Sequence, residues 1–186
     1  NNCINIGVFS PLCRYKGERY IKHLKNIYEN DNIKIVEKWD DFGLDNNILR
    51  GIYAHGFESP SQIQKTAILP IIERKDVIAQ APSGTGKTGT FSISSLQCID
   101  LSVNKTQVLI LAPTHELVKQ IYSVITNIGG YMEGLKVKVL VGGTSVVEDA
   151  DDLKKNVPHV IVGSVGRVHD MMRRRAIRSS DLKLFV

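Results

Sequence analysis

The sequence predicts an α/β fold, a parallel sheet with helices on both faces. Two observations carry that expectation. From residue 77 onward, short apolar runs alternate with stretches of helical periodicity, the pattern of strands joined by crossover helices. Between one such run and a helical stretch lies the glycine-rich segment Ala81-Pro82-Ser83-Gly84-Thr85-Gly86-Lys87-Thr88. Bulk composition agrees: 186 residues with 42% hydrophobic and 23% charged side chains suit a globular chain with one main core rather than a disordered one.

Residues 1–38, rich in Asn, Lys, Tyr and Ile, read as an N-terminal extension, with Tyr20, Ile21, Leu24, Ile27 and Tyr28 at helical spacing. The main domain is expected over 39–186. Asp45 is a suitable N-cap for a helix that places Ile48, Leu49, Ile52 and Tyr53 on one face. A second helix is expected to start at Ser59-Pro60, serine satisfying a free amide and proline giving up an N–H that has no partner in a first turn. Strands follow at 77–81, 108–112, 137–141, 160–163 and 184–186. Helices are expected from Lys87 and through Leu117, Val118, Ile121, Val124, Ile125 and Ile128.

No stretch approaches the roughly 20 apolar residues that span a bilayer, and the first thirty residues lack the apolar block of a signal peptide. The expectation is an intracellular protein, cytoplasmic or nuclear, with no membrane partner. Cys3, Cys13 and Cys98 show no C-x-x-C spacing, so neither a disulfide framework nor a zinc site is indicated. The net charge of +5 fits a phosphate-rich partner. The cluster Arg173, Arg174, Arg175 and Arg178 reads equally well as a solvated helix end or as a surface facing RNA.

The segment 81–88 is a phosphate-binding loop, with Ala81 where the general G-x-x-x-x-G-K-[ST] pattern has its first glycine. Gly84 and Gly86 let the backbone curl so that successive N–H groups point at phosphate oxygens, and the following helix adds its positive end. Lys87 is placed to reach the β- and γ-phosphates and the Thr88 hydroxyl to ligate Mg²⁺. The candidate nucleotide contacts here are Pro82, Ser83, Gly84, Thr85, Gly86, Lys87 and Thr88, with Lys87 and Thr88 also the catalytic candidates. Asn104-Lys105-Thr106-Gln107 begins like a guanine-reading N-K-x-D but lacks its aspartate, which disfavours a GTPase.

Upstream stands Gly56-Phe57-Glu58-Ser59-Pro60-Ser61-Gln62-Ile63-Gln64, preceded by the isolated aromatic Trp39. This resembles the Q motif of DEAD-box ATP-dependent RNA helicases. Pro113-Thr114-His115-Glu116-Leu117 resembles motif Ia of that family, Gly142-Gly143 its paired glycines, and Ser164-Val165-Gly166-Arg167 its motif Ib. The likeness runs from about residue 35 to residue 186. Segments such as Leu49-Arg50-Gly51-Ile52-Tyr53-Ala54 and Gly143-Thr144-Ser145-Val146-Val147-Glu148-Asp149-Ala150 are most similar to the translation initiation factor four-A branch.

The resemblance implies a RecA-like domain that binds ATP and Mg²⁺, with Gln64 gripping adenine and Trp39 and Phe57 near the base. A primary amide offers one donor and one acceptor, which pair together with adenine N7 and its amino group. It also implies that Pro113, Thr114, His115, Gly142, Gly143, Ser164, Gly166 and Arg167 line single-stranded or locally structured RNA through its phosphates. A scaffold protein of translation or splicing is an implied partner. His115 stands where the family has arginine and Val165 where it has proline, so RNA contact is expected to be weaker. The alternative reading is an ATP-binding or scaffold-binding module without turnover. Since the apolar strand at 184–186 precedes the place where the family's DEAD segment would stand, the chain is expected to be a fragment of a longer helicase, inactive and marginally stable by itself.

Overall fold

The computed structural model describes residues 3–8 and 35–186. The amphipathic stretch at 20–28 and Cys13 lie outside the described residues. The strands are β1 (Cys3–Val8), β2 (Val77–Pro82), β3 (Val108–Ala112), β4 (Val137–Leu140), β5 (Val160–Ser164) and β6 (Leu184–Phe185). The helices are α1 (Asn46–Ala54), α2 (Gln62–Ile72), α3 (Lys87–Gln97), α4 (His115–Ile128), α5 (Val146–Lys155) and α6 (Val165–Arg173).

The central sheet has the order β4-β5-β3-β6 and every pairing in it is parallel. Because successive side chains point to opposite faces, each strand feeds two cores. Val108, Ile110, Ala112, Val160 and Val162 pack with the buried faces of α1 to α4, including Ile48, Ile52, Ile68, Ile93, Val118 and Ile125. Leu109, Leu140 and Ile161 face the other way, onto Ala150 and Leu153 of α5 and Val168 and Met171 of α6. That division is the doubly covered sheet expected from near-continuous apolar strands. In the register Ala112 lies opposite Ser164 and Leu140 opposite Gly163, so β3, β4 and β5 end at nearly one level and their following loops share one rim.

Two features differ from the sequence expectation. β2, the strand that feeds the phosphate loop, pairs antiparallel with β1, Cys3 opposite Pro82 and Val8 opposite Val77, and is not hydrogen-bonded to the four-stranded sheet. Residues read only as an extension therefore include a strand; the alternation of Ile4, Ile6 and Val8 was the signal for it. The second difference is that α2 begins after Ser61, two residues beyond Ser59-Pro60. Gln64 Oε1 accepts from Ser61 N at 2.7 Å, and that return contact needs glutamine three residues past the cap. Asp45 caps α1 as expected, its Oδ1 accepting from Asn47 N at 2.8 Å.

Glycine at 51 has a packing reason. A Cβ built there would stand 1.7 Å from the Ile128 carbonyl oxygen, at the point where α1 crosses the end of α4. In an open helix, Gly→Ala gains about 1 kcal/mol. Here the clash is with backbone and reverses the sign: Gly51→Ala is expected to lose about 1–3 kcal/mol in urea unfolding, as overpacked cores do. A stabilised variant would show that this crossing is loose.

His159, buried between β4 and β5, accepts Lys136 N at its Nδ1 at 3.1 Å. Burial, then the neighbouring Lys136 charge, push its pKa below the ordinary histidine value. The native state then binds fewer protons than the unfolded chain around and below about pH 6.5, so this contribution is complete above that pH and lost as pH falls. The unfolding midpoint is expected to drop between about pH 7.5 and about pH 5.5. The drop should be smaller in His159→Asn, and an equal drop would assign the acid sensitivity elsewhere.

Candidate nucleotide and nucleic-acid site

β2 runs out at Pro82 and α3 begins at Lys87; between them Gly84 (φ 79) and Gly86 (φ 96) take the left-handed backbone that a tight inward curl requires. Pro82, Ser83 and Gly84 are exposed, Thr85, Gly86 and Thr88 half-buried, and Lys87 buried. The Thr85 hydroxyl donates to Pro82 O at 2.8 Å, closing the turn. The Lys87 ammonium reaches back across the loop to Ala81 O at 2.6 Å and to Pro82 O. A buried cation held by neutral carbonyls beside a helix N-terminus is an anion site in wait, and the donors present fit a nucleoside polyphosphate.

The segment from Phe57 to Gln64 braces this loop. Gln64 is 3% exposed, and while its Oε1 accepts from Ser61 N, its Nε2 donates to Gly86 O at 3.3 Å. The amide expected to meet adenine is thus turned onto the phosphate loop. The Gly86 carbonyl also accepts Thr90 N and Oγ1, at 2.9 and 3.0 Å, so one oxygen ties α2, the loop and α3 together. Trp39 departs from its expected role. It is 1% exposed, its Nε1 donates to Phe57 O at 3.0 Å, and its ring stacks on Phe57 at 6.4 Å between centroids. Trp39 supports the Phe57 segment from beneath instead of lining a base pocket; Phe57, half-buried, lies edge-on to His55.

The other candidates gather on the rim formed by the ends of β3, β4 and β5. Pro113, Thr114 and His115 are exposed, with Thr114 capping α4 through Leu117 N at 3.3 Å. Gly142 and Gly143 (φ 94) are exposed opposite them; a Cβ on Gly142 would come within 3.8 Å of His115 Nε2. Ser164 is half-buried and Gly166 exposed at the start of α6. Glu116 brings an opposing charge to the rim: its own backbone amide and the Thr114 hydroxyl hold its carboxyl below the usual value.

Arg167 does not join that surface. It is 8% exposed, and its Nη1 donates to Asp149 Oδ2 and to Thr144 Oγ1 while Nη2 donates to Thr144 O. The expectation that its side chain touches RNA is not met in this structure, because the guanidinium is buried and turned inward onto Asp149 and Thr144, away from the rim. Sequence reading missed Asp149 and Thr144, whose acid and hydroxyl acquire meaning only when α5 and α6 lie side by side. Arg173, Arg174, Arg175 and Arg178 are exposed at the far end of α6, Arg174 pairing with Asp170 at 3.1 Å.

Among the described residues no cluster of three His, Cys, Asp or Glu side chains is built to hold a metal, and no helix is long and apolar enough to cross a membrane. A cleft of about 490 Å³ opens at the opposite end of β4, between Tyr122, Met132, Lys136, Asp152 and Pro158. The phosphate-binding donors are elsewhere, and they define the chemistry.

A strand delivering a glycine loop and a buried lysine to a helix start marks the class as a phosphate-loop nucleotide-binding domain. The family model for the DEAD/DEAH box helicase matches residues 61–186, and the chain belongs to that family. It is 52% identical over 153 residues to the ATP-dependent RNA helicase eIF4A of Yarrowia lipolytica, covering 82% of this chain and 38% of the relative. The eIF4A of Saccharomyces cerevisiae matches equally, at 52% over 153 residues with the same coverage. Among solved structures, S. cerevisiae Dbp5 bound to RNA and ADP BeF3 superposes with a TM-score of 0.69 at 33% identity, over 79% of this chain and 37% of that one. A DEAD box protein from the hyperthermophile Methanococcus jannaschii gives 0.72 at 27% identity, over 80% and 40%. The chain spans under two fifths of the length of the eIF4A relatives it matches.

The bracing predicts the effect of a single methyl. A Cβ at Gly86 would meet Ser61 Oγ at 2.8 Å and Gln64 Nε2 at 2.9 Å, on a backbone that L-residues enter at a cost of about 1–2 kcal/mol. Gly86→Ala is expected to weaken binding of a fluorescent ATP analogue at least about ten-fold, with the far-ultraviolet circular dichroism unchanged. Wild-type affinity in that variant would mean the loop re-forms on nucleotide without the 57–64 brace.

Proposed function

We propose that this chain is the ATP-binding part of an ATP-dependent RNA helicase that acts in translation initiation or mRNA processing. Residues 39–186 would form the first RecA-like domain and 1–38 an extension. The observation that supports it best is that one chain carries both a braced phosphate loop and an exposed rim of hydroxyls, glycines and helix N-termini at the ends of β3, β4 and β5. In open α/β sheets ligands bind outside the carboxyl ends of strands. The rim is suited to a phosphate backbone and to no particular base sequence, because its donors are main-chain amides and small hydroxyls.

ATP would lie with its phosphates in the loop at 82–88. Lys87 would then exchange main-chain carbonyls for phosphate oxygens, and Thr88 would supply a hydroxyl to hold Mg²⁺. Bound Mg²⁺ supplies charge neutralisation at the phosphates. For adenine recognition Gln64 keeps Ser61 N on Oε1, which has a second lone pair for the base amino group, and releases Gly86 O from Nε2. The released bond is the longer one, 3.3 against 2.7 Å, which makes the exchange the easier of the two. Single-stranded or locally structured RNA and a translation or splicing scaffold are the proposed partners, in the cytoplasm or nucleus. The deciding experiment is RNA-stimulated ATP hydrolysis by the longest natural form of the protein. Stimulation that disappears in Lys87→Ala supports the helicase; nucleotide binding with no turnover at any RNA concentration selects the non-catalytic binding module.

Base choice is a separate expectation. Unlabelled ATP should displace a fluorescent ATP analogue at lower concentration than GTP does, because guanine presents two acceptors to an amide that needs one donor and one acceptor. Gln64→Ala should reduce that preference with binding partly retained, while Lys87→Ala should weaken both nucleotides. Equal displacement by ATP and GTP in the wild type would remove Gln64 from base recognition.

A further inference from the structure

We propose that Arg167 is a positioning residue: with Asp149 and Thr144 it latches the loop after β4 to the start of α6, and so sets the spacing of the backbone groups that grip RNA phosphates. The inference rests on the RNA-binding reading above and deepens it, by giving an inward-facing residue a role in that binding and bringing in two residues outside the motif positions.

The latch is a closed set of contacts. Arg167 Nη1 donates to Asp149 Oδ2 and, at 2.7 Å, to Thr144 Oγ1; the Thr144 hydroxyl donates to the same Asp149 oxygen at 2.8 Å; Arg167 Nη2 donates to the Thr144 main-chain oxygen at 2.8 Å. Asp149 and Arg167 are 9% and 8% exposed, so the ion pair is largely desolvated and loss of either charge strands the other. Asp149 lies on α5 and Arg167 on α6, and Thr144 directly follows the paired glycines.

The surface it governs cannot hold itself. Gly142 and Gly143 have no side chains to anchor them, and Gly143 sits at φ 94, where the chain is free to take several courses. Across the rim, Ser164, Val165 and Gly166 lead into α6 with Val165 58% exposed, so its side chain gives little packing to fix the turn. Arg167 is the next residue, and Thr144 is next to Gly143. The fork of one guanidinium therefore spans the two loops at the residues adjoining their exposed tips. Held this way, Arg167 offers RNA its backbone position and keeps its charge inside.

Latch and direct contact predict opposite signs for one substitution. Asp149→Asn removes the carboxylate that holds Arg167. If Arg167 served RNA directly, its release would leave affinity equal or tighter. If it latches, affinity for a fluorescent single-stranded oligoribonucleotide, measured by anisotropy on the longest natural form of the protein, falls at least about five-fold. Affinity for a fluorescent ATP analogue should hold, since the phosphate loop lies on β2 and α3. Asp149→Glu, which keeps the carboxylate, should bind RNA as the wild type does. Thr144→Val, isosteric and uncharged, should lose RNA affinity in the same direction, and it decides the matter if Asp149→Asn loses nucleotide binding too and has therefore misfolded. Equal or tighter RNA binding in the folded variants overturns the latch and leaves the RNA-binding reading standing. A wild type without salt-sensitive RNA binding overturns both.

Discussion

A buried ammonium must be met by oxygen, and the nucleotide end of this molecule is arranged around that demand. Lys87 is drawn into the protein at the start of α3, where its ammonium donates to the last carbonyls of β2. To bring them within reach the chain reverses over four residues, which puts Gly84 and Gly86 in the left-handed region and turns the intervening amides inward. The Gly86 carbonyl, pushed outward by the same reversal, becomes the acceptor on which Gln64 and Thr90 converge. The loop, the helix start and the preceding segment are thus mutually dependent, tied through the Lys87 ammonium, the Gln64 amide and the Gly86 carbonyl. Such a site is preorganised, and binding exchanges partners rather than creating order from a mobile loop.

The rim at the strand ends distributes its charge differently. The rim at the ends of β3, β4 and β5 shows hydroxyls, glycines and one imidazole, while its arginine is drawn inside and a glutamate is held ionised beside His115. A polyanion at such a surface would meet oriented amides and helix ends rather than point charges. Surface arginines lie at the far end of α6, remote in the helix from Ser164. His115 and Val165, where the family pattern has arginine and proline, lie exposed on the same rim. The parallel register that levels Ala112 with Ser164 and Leu140 with Gly163 is what forms that rim.

Family membership and fold were legible because both rest on local chemistry. Periodicity separated strands from helices at nearly all the expected places, since an apolar run of five or so residues between turns has few alternatives inside a core. The phosphate loop was legible because its strand, glycines, lysine and hydroxyl are contiguous. Errors arose where a side-chain hydrogen bond chose between alternatives that composition and periodicity left equal. Ser59-Pro60 and Ser61 are both sound helix starts locally, and the Gln64 side chain chose the later one. Trp39 has the size and polarity of a base-stacking residue, yet its indole N–H found the Phe57 carbonyl and its ring was buried.

Sequence alone determined the chemistry that is continuous along the chain: an α/β order of elements, a phosphate loop with its lysine, and a set of family motifs in order. Tertiary structure decided which way the polar side chains of those motifs face. Gln64 turned onto Gly86, Trp39 under Phe57 and Arg167 toward Asp149, because a buried hydrogen-bonding group takes whichever partner packing brings within about 3 Å, and that partner need not be near it in sequence.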